Sequence, residues 1–220
     1  AIGSILEGFL FKKLQLPLIL NRKTVNIWGS GFIEAPNTKK HPIQKFSRKT
    51  NIIALRGELS KQRCESMLNT KLNIALGDPG LLANKLISQE NIVSKKQIGI
   101  ILHYVDKNSE YLKNINLPEY KLIDIEDHPI KVLKEIAECK AVFSSAMHGL
   151  IAADALGIPN QWIQLSEKVY GKNYKFKDYY SVFGITNPMP IDLRNNRITE
   201  QTVDKVIQEH PTLISKQKVE

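Results

Sequence analysis

Three side chains of this sequence combine the residue type and the local setting that acid–base or anion chemistry needs. His148 follows two serines in "AVFSSAMHGLIAADALGIP" (141–159), Arg56 closes "NIIALR" (51–56), and His103 closes "IGIILH" (98–103). Arg56 and His103 come straight after runs rich in β-branched residues, where a strand would give way to a turn, and His148 lies five positions past the strand expected to end near Phe143. An imidazole can take up or release a proton near neutral pH. A guanidinium grips phosphate or carboxylate through parallel N–H bonds. Plainer uses stay open: a surface ion pair of Arg56 with Glu58 or another carboxylate, a structural hydrogen bond for His103, and a capped core helix around His148.

The stretch around His148 reads as strand, turn and helix. The strand ends near Phe143, and Ser144 or Ser145 is the expected N-cap. With Ser145 as cap, His148 is the third helical residue. Gly157 is expected in the left-handed region at the helix end, and Pro159 blocks continuation. Gly149 lacks a side chain where another group approaches the backbone. Such a helix start presents unpaired N–H groups and the positive dipole end to an anion. The dipole favours a neutral His148 in the free protein, and a bound phosphate or carboxylate favours its protonation.

Further residues join the list with less specific signals. Gly29, Ser30 and Gly31 form a short glycine loop after a strand, open to close approach by a ligand. Asp78 sits in a Gly-Asp-Pro-Gly turn, where an aspartate commonly satisfies turn backbone. Asp106 starts a turn. Lys175, Lys177 and Asp178 either shape an acceptor side or a lobe contact, or belong to a solvated loop. The five histidines are dispersed and no carboxylate pair has ligand spacing, so no metal site is expected.

The elements that must position these groups alternate. Strands are predicted at 24–28, 51–55 and 72–76, with helices over 58–69 and near 81–86. After the polar stretch 88–97 the pattern restarts, with strands at 98–105, 121–125, 141–145 and 160–165. Helices are predicted over 128–140, 146–156 and 199–209, the last capped by Thr199. Alternation of this kind predicts an α/β fold with parallel sheets. The break near residue 90 predicts two Rossmann-like lobes, 1–90 and 91–220. The first would hold only three strands and opens on "AIGSIL" without a preceding strand, so it reads as incomplete.

Composition narrows the class. The 220 residues are 42% hydrophobic and 24% charged, which fits a globular protein. No apolar run reaches the roughly 20 residues of a membrane span, and the start lacks a secretory signal pattern. Cys64 and Cys139 match no metal or redox spacing, which predicts a reduced, cytoplasmic protein. The 31 basic and 22 acidic residues give a net charge of +9, which favours anionic partners. The bases are scattered rather than striped among aromatics, so nucleic acid is not an expected partner.

The motifs, taken together, resemble the polysaccharide pyruvyl transferase family. Its most specific signature stands here as Ser144-Ser145-Ala146-Met147-His148-Gly149-Leu150-Ile151, then Gly157-Ile158-Pro159. "WGSGF" (28–32), "LRGELS" (55–60), "GDPGLL" (77–82), "HYVD" (103–106) and "FKDYYS" (176–181) match in order. Met147 stands where a leucine is usual, Leu102 stands where a proline is common, and the family's early glycine-aspartate motif is absent. The resemblance implies two lobes similar to GT-B glycosyltransferases and transfer of pyruvyl from phosphoenolpyruvate to a hexose, with no further cofactor. It implies Arg56, His148 and the Met147 backbone as donor contacts; with His103 as runner-up acid or base from its place at a strand end, Arg56, His148 and His103 are the expected catalytic set. Ser144, Ser145, Met147, Gly149, Gly29, Ser30, Gly31, Lys175 and Asp178 are the expected substrate-binding residues. The acceptor would be a glycan or its lipid-linked precursor, with a peripheral contact at the cytoplasmic membrane face. A glycosyltransferase using a nucleotide sugar, and an inactive module of a glycan-synthesis assembly, are the alternatives.

Overall fold

The computed structural model describes residues 3–10, 23–37, 39, 45–87 and 97–209. The chain divides into two compact units: Ala1–Pro79 with Tyr170–Pro188, and Gly80–Val169 with Met189–Glu220. It is an α/β protein whose paired strands all run parallel. The division expected near residue 90 falls in 88–96, outside the described residues.

In the first unit, β1 (Val25–Ile27) pairs with β2 (Thr50–Ile52), and β3 (Ala54–Leu55) pairs with β4 (Ala75–Leu76). The single strand expected over 51–55 is thus split at Ile53, which is half exposed and passes the chain from one partner to another. Helix α1 (Glu58–Leu68) ends at Asn69, whose φ of 50° is the left-handed stop that asparagine tolerates. Helix α4 (Tyr174–Ser181) belongs to this unit although it is encoded far downstream. Of the readings open for Lys175, Lys177 and Asp178, a solvated loop does not fit: the segment is helical, and five of its residues are buried. Leu6, Leu10, Ile27, Phe32, Leu55 and Cys64 form the core.

The second unit is built on a five-stranded sheet: β5 (Gln97–Ile101), β6 (Lys121–Ile123), β7 (Cys139–Ser144), β8 (Asn160–Gln164) and β9 (Ile191–Asp192). Their spatial order is β6-β5-β7-β8-β9. Counting within this sheet, the order is 2-1-3-4-5, a doubly wound arrangement. The central strands β5 and β7 are almost continuously buried, as expected of parallel strands covered on both faces.

On one face, Ile101, Ile123 and Val142 pack with α2 (Pro129–Ala137) and α3 (Met147–Ala155). On the other, Ile100, Phe143 and Ile163 pack with Val203 and Val206 of α5 (Glu200–Glu209). Pro129 opens α2 at the position where its missing N–H costs nothing. Thr199 caps α5 reciprocally: its Oγ1 accepts from Thr202 N, and its N–H donates to Thr202 Oγ1. Among the described residues no helix is long and apolar enough to cross a membrane.

Candidate functional site

The connections leaving β5 and β7 run to opposite sides of the sheet, since β6 lies beyond β5 and β8 beyond β7. In doubly wound sheets this switch point opens a crevice at the C-terminal strand edge, where ligands bind. His103 follows β5 there, and the segment 144–149 follows β7. Ser145 ties the two together: its Oγ accepts the His103 N–H at 2.9 Å, and its N–H donates to Ile101 O at 3.0 Å.

Neither serine caps α3, contrary to the sequence expectation. The N-cap is Ala146, in extended backbone and without a side-chain cap. Ser144 Oγ accepts from Ala146 N at 3.1 Å and donates to Ala146 O at 2.8 Å, so it pins the turn instead. His148 is therefore the second helical residue, not the third. The helix does end as expected. Gly157 has φ of 65°, its N–H donates to Asp154 O, and Ile158 N donates to Ala153 O.

From Ala141 to Ile151, His148 is the one exposed residue. Its sequence neighbours are interior; Met147 and Gly149 are buried on either side. The space beside Gly149 is filled by the protein itself, since a Cβ there would lie 2.5 Å from Ser144 Oγ and 3.0 Å from Ile101 Cγ2. His103 is half-buried, with its ring stacked on the exposed Tyr104 at a centroid distance of 4.4 Å. Its Nδ1 accepts from Val105 N at 3.4 Å, which leaves the neutral ring with its proton on Nε2. Asp106, three residues on, is buried and accepts from Ser166 Oγ at 2.6 Å. Ser166, just past β8, was not anticipated; no local pattern marks a serine whose partner is 60 residues away.

The other expected site residues gather in the first unit around Arg56. The sequence left it either a ligand clamp or a surface ion pair, and the structure gives it a carboxylate partner in the interior. Arg56 and Asp178 have no exposed side-chain surface. Nε and Nη2 lie 2.9 and 2.8 Å from Asp178 Oδ2, Nη1 donates to Ser4 Oγ, and Nη2 donates to Phe32 O. Asp178 also accepts from Ser60 N at 2.8 Å and Ser60 Oγ at 2.6 Å. Because Gly57, the N-cap of α1, has no side chain to offer, Asp178 and Ser181 cap that helix from α4; Ser181 Oγ accepts from Glu58 N at 2.9 Å.

Two glycines make this closure possible. A Cβ on Gly31 would lie 2.4 Å from the Arg56 guanidinium carbon, and one on Gly57 would lie 1.8 Å from the Asp178 carbonyl oxygen. Gly29, with φ of 67°, packs against Pro79 and Gly77, and Ser30 is fully buried beside Leu55. The glycine loop is thus occupied by its own chain. Lys175 lies in the first turn of α4, 7% exposed, with Nζ 5.5 Å from the Phe176 ring centroid. Burial, reinforced by the Arg56 charge, pushes its ammonium down to about 8.

The structure therefore brings His103, Ser144, Ser145, Met147, His148 and Gly149 together at one sheet edge. Gly29, Ser30, Gly31, Arg56, Lys175 and Asp178 come together around one buried ion pair. Ser4 and Ser60 were missed; Ser60 falls inside "LRGELS", and that shared motif was the one signal available.

An uncharacterised protein of Acanthamoeba polyphaga mimivirus is 36% identical over 136 residues, covering 60% of this chain and 47% of that protein. The chain thus spans about half the length of the curated relative it matches. No solved structure matches the chain. The profile of the polysaccharide pyruvyl transferase family matches residues 3–167, which include both the Ser144–Ile151 turn and the Arg56 strand end, and the chain belongs to that family.

Proposed function

We propose that the chain serves the transfer of a pyruvyl group from phosphoenolpyruvate to two hydroxyls of a hexose, in a cell-surface polysaccharide or its lipid-linked precursor. The observation that carries this reading is His148, a lone exposed side chain on the first turn of α3 at the sheet's switch point. Family membership supplies the reaction class.

Ketal formation requires a proton at the enol methylene of the donor, turning it into a methyl. One sugar hydroxyl then bonds to the neighbouring carbon, and the carbon–oxygen bond to phosphate breaks. A second hydroxyl closes the ring. Of the two hydroxyl protons displaced, one balances the new C–H bond and the other leaves with phosphate.

In this reading the donor phosphate lies on the N-terminus of α3, against the Met147 and His148 N–H groups. His148 becomes protonated beside that anion and delivers the proton to carbon. His103, held by Ser145 and with Nδ1 engaged, offers its Nε2–H as a hydrogen-bond donor to a substrate oxygen, and the departing phosphate takes up the hydroxyl proton. Arg56 contributes as the strut that holds Asp178 and the Gly31 loop. The reading retains a GT-B-like enzyme, a lipid-linked acceptor and a peripheral contact at the cytoplasmic membrane face, which the net charge of +9 suits.

The test is a thermal-shift titration with phosphoenolpyruvate, with nucleotide sugars and inorganic phosphate in parallel, on wild type and His148→Ala. At about 100 times its dissociation constant a ligand stabilises the native state by roughly 2.7 kcal/mol. Stabilisation by phosphoenolpyruvate that is lost in the variant is the expected result. A response confined to nucleotide sugars would instead mark a glycosyltransferase, and silence from all three an inactive module.

A further inference from the structure

The motif "WGSGF" has a part that packing does not use. Its glycines and Ser30 are enclosed by the protein itself, but Trp28 is 45% exposed, between the buried Ile27 and Gly29. Trp162, the second tryptophan of the chain, is buried. Strand alternation accounts for the difference. Val25, Ile27 and Ile52 turn toward the core of the first unit, while Asn26, Trp28, Asn51 and Ile53 are exposed on the other face. Parallel strands are ordinarily covered on both faces, and this pair presents one of them to solvent.

These four residues form a platform. Asn26 lies opposite Asn51 in the ladder, and Asn51 Nδ2 donates to Asn26 Oδ1 at 3.0 Å. Asn51 keeps its Oδ1 and a second N–H for another partner. Beyond them the ladder continues: Ile53 N donates to Ile27 O and Gly29 N to Ala54 O, each at 2.9 Å, which sets Trp28 beside Ile53. Gly29, with φ of 67° and Pro79 Cδ 2.3 Å from where a Cβ would stand, fixes the turn directly after the indole.

Size selects the guest. An aromatic side chain carries about 150–250 Å² of surface, so Trp28 at 45% and Ile53 at 50% expose on the order of 200 Å² together. A stable protein interface takes about 800 Å² from each partner. The patch is too small for a protein and comparable to one hexose ring. The C–H bonds on one face of such a ring, made slightly positive by the ring oxygen and hydroxyls, meet the negative π face of an indole. Its rim hydroxyls donate to and accept from side-chain amides.

We propose that Trp28, Ile53 and Asn51 form a subsite in the first unit for a hexose residue of the polysaccharide acceptor. This subsite rests on the acceptor named in the proposed function, and not on the donor or the proton transfer.

The test is NMR of the full chain labelled with 15N-tryptophan, which gives two indole N–H signals; that of Trp28 is identified by its loss in Trp28→Phe. Methyl glycosides of glucose, galactose and mannose are titrated without phosphoenolpyruvate, with glycerol at equal molarity as the polyol control. A saturable shift of the Trp28 signal with at least one glycoside, and none of the Trp162 signal, is expected. Binding is then read on the C–H protons of that glycoside by saturation transfer. Trp28→Ala should weaken it at least about tenfold and Asn51→Ala about threefold, while Trp28→Phe, which keeps a ring, stays nearer wild type. No shift with any glycoside, an equal shift with glycerol, or undiminished binding by Trp28→Ala overturns the proposal. So does a Trp28 shift that follows protein concentration without sugar, which marks a contact between copies of the chain. Failure here while phosphoenolpyruvate still stabilises the protein strikes the subsite alone. Silence toward phosphoenolpyruvate with a glycoside bound strikes the pyruvyl transfer reading alone.

Discussion

Arg56 and Asp178, 122 positions apart in the chain, form an ion pair with no exposed surface on either side chain. The same carboxylate closes the N-terminus of α1 through Ser60. One aspartate therefore neutralises a buried guanidinium and caps a helix that lacks its own cap. Removing either partner leaves the other charged and stranded in the interior. Asp178→Ala and Arg56→Met are each expected to cost about 3–5 kcal/mol. The double variant should cost less than the sum, with a coupling of at least about 1 kcal/mol in urea denaturation.

The close approaches around this pair predict which glycines tolerate a methyl group. Gly57→Ala sets a Cβ 1.8 Å from a backbone oxygen, so α1 and α4 must separate. A loss above about 3 kcal/mol is expected. Gly184 has φ of 74° but nothing within 4 Å of the added carbon. Gly184→Ala should cost only the conformational strain, about 1–2 kcal/mol. Thermal melts of the two variants distinguish packing from backbone strain.

Lys175 makes stability depend on alkaline pH. Its folded value of about 8 lies below the ordinary 10.5, so between these values the unfolded chain binds more protons than the native one. Stability is then expected to rise from about pH 8 to 10.5, by on the order of 3 kcal/mol from this group, and to be lowest below pH 8. Urea midpoints for wild type minus Lys175→Met across that window isolate the effect, and the variant should be the more stable protein at neutral pH.

The two thiols report on the two units separately. Burial pushes both Cys64 and Cys139 up to about 12, and both side chains are enclosed. Neither should react with a disulfide reagent at about pH 8 in the native protein, since the thiolate is the nucleophile. Single-cysteine variants would then time the opening of the first unit through Cys64 and of the second through Cys139.

His148 is expected to behave in the opposite way to Arg56. An exposed residue carries little packing, so His148→Ala should leave stability within about 0.5 kcal/mol. On the proposed reading, in which His148 is the proton donor, its loss is expected to lower pyruvyl transfer by at least about 100-fold. Transfer assays beside denaturation curves check both halves.

What the sequence made legible was what local pattern controls. The apolar runs of β5 and β7, the periodicity of α2 and the left-handed Gly157 needed no distant partner. The N-cap of α3 was misread because a serine before a helix has two local uses, and Ser144 turns back onto Ala146 while Ser145 reaches His103. Helix α4 was hidden for the converse reason. Lys175 and Asp178 look solvated in sequence, and Asp178 is buried through Arg56 and Ser60, more than 100 residues earlier. Strand β9, two residues long, is too short to carry a pattern. The motif "FKDYYS" carried the clue, but its meaning lay in "LRGELS".

The return of Tyr170–Pro188 to the first unit sets an order of events on the ribosome. Strands β1 to β4 and helix α1 are synthesised early, yet their buried arginine and uncapped helix wait for α4. By then β5 to β8 have already been made. The nascent first unit must therefore stay unfinished through most of translation, with Leu55 and Phe32 unsealed, while the second begins to assemble. A ribosome stalled near residue 170 would hold a chain that has made β5 to β8 but lacks α4, β9 and α5, so its earlier unit would still be open to chaperones.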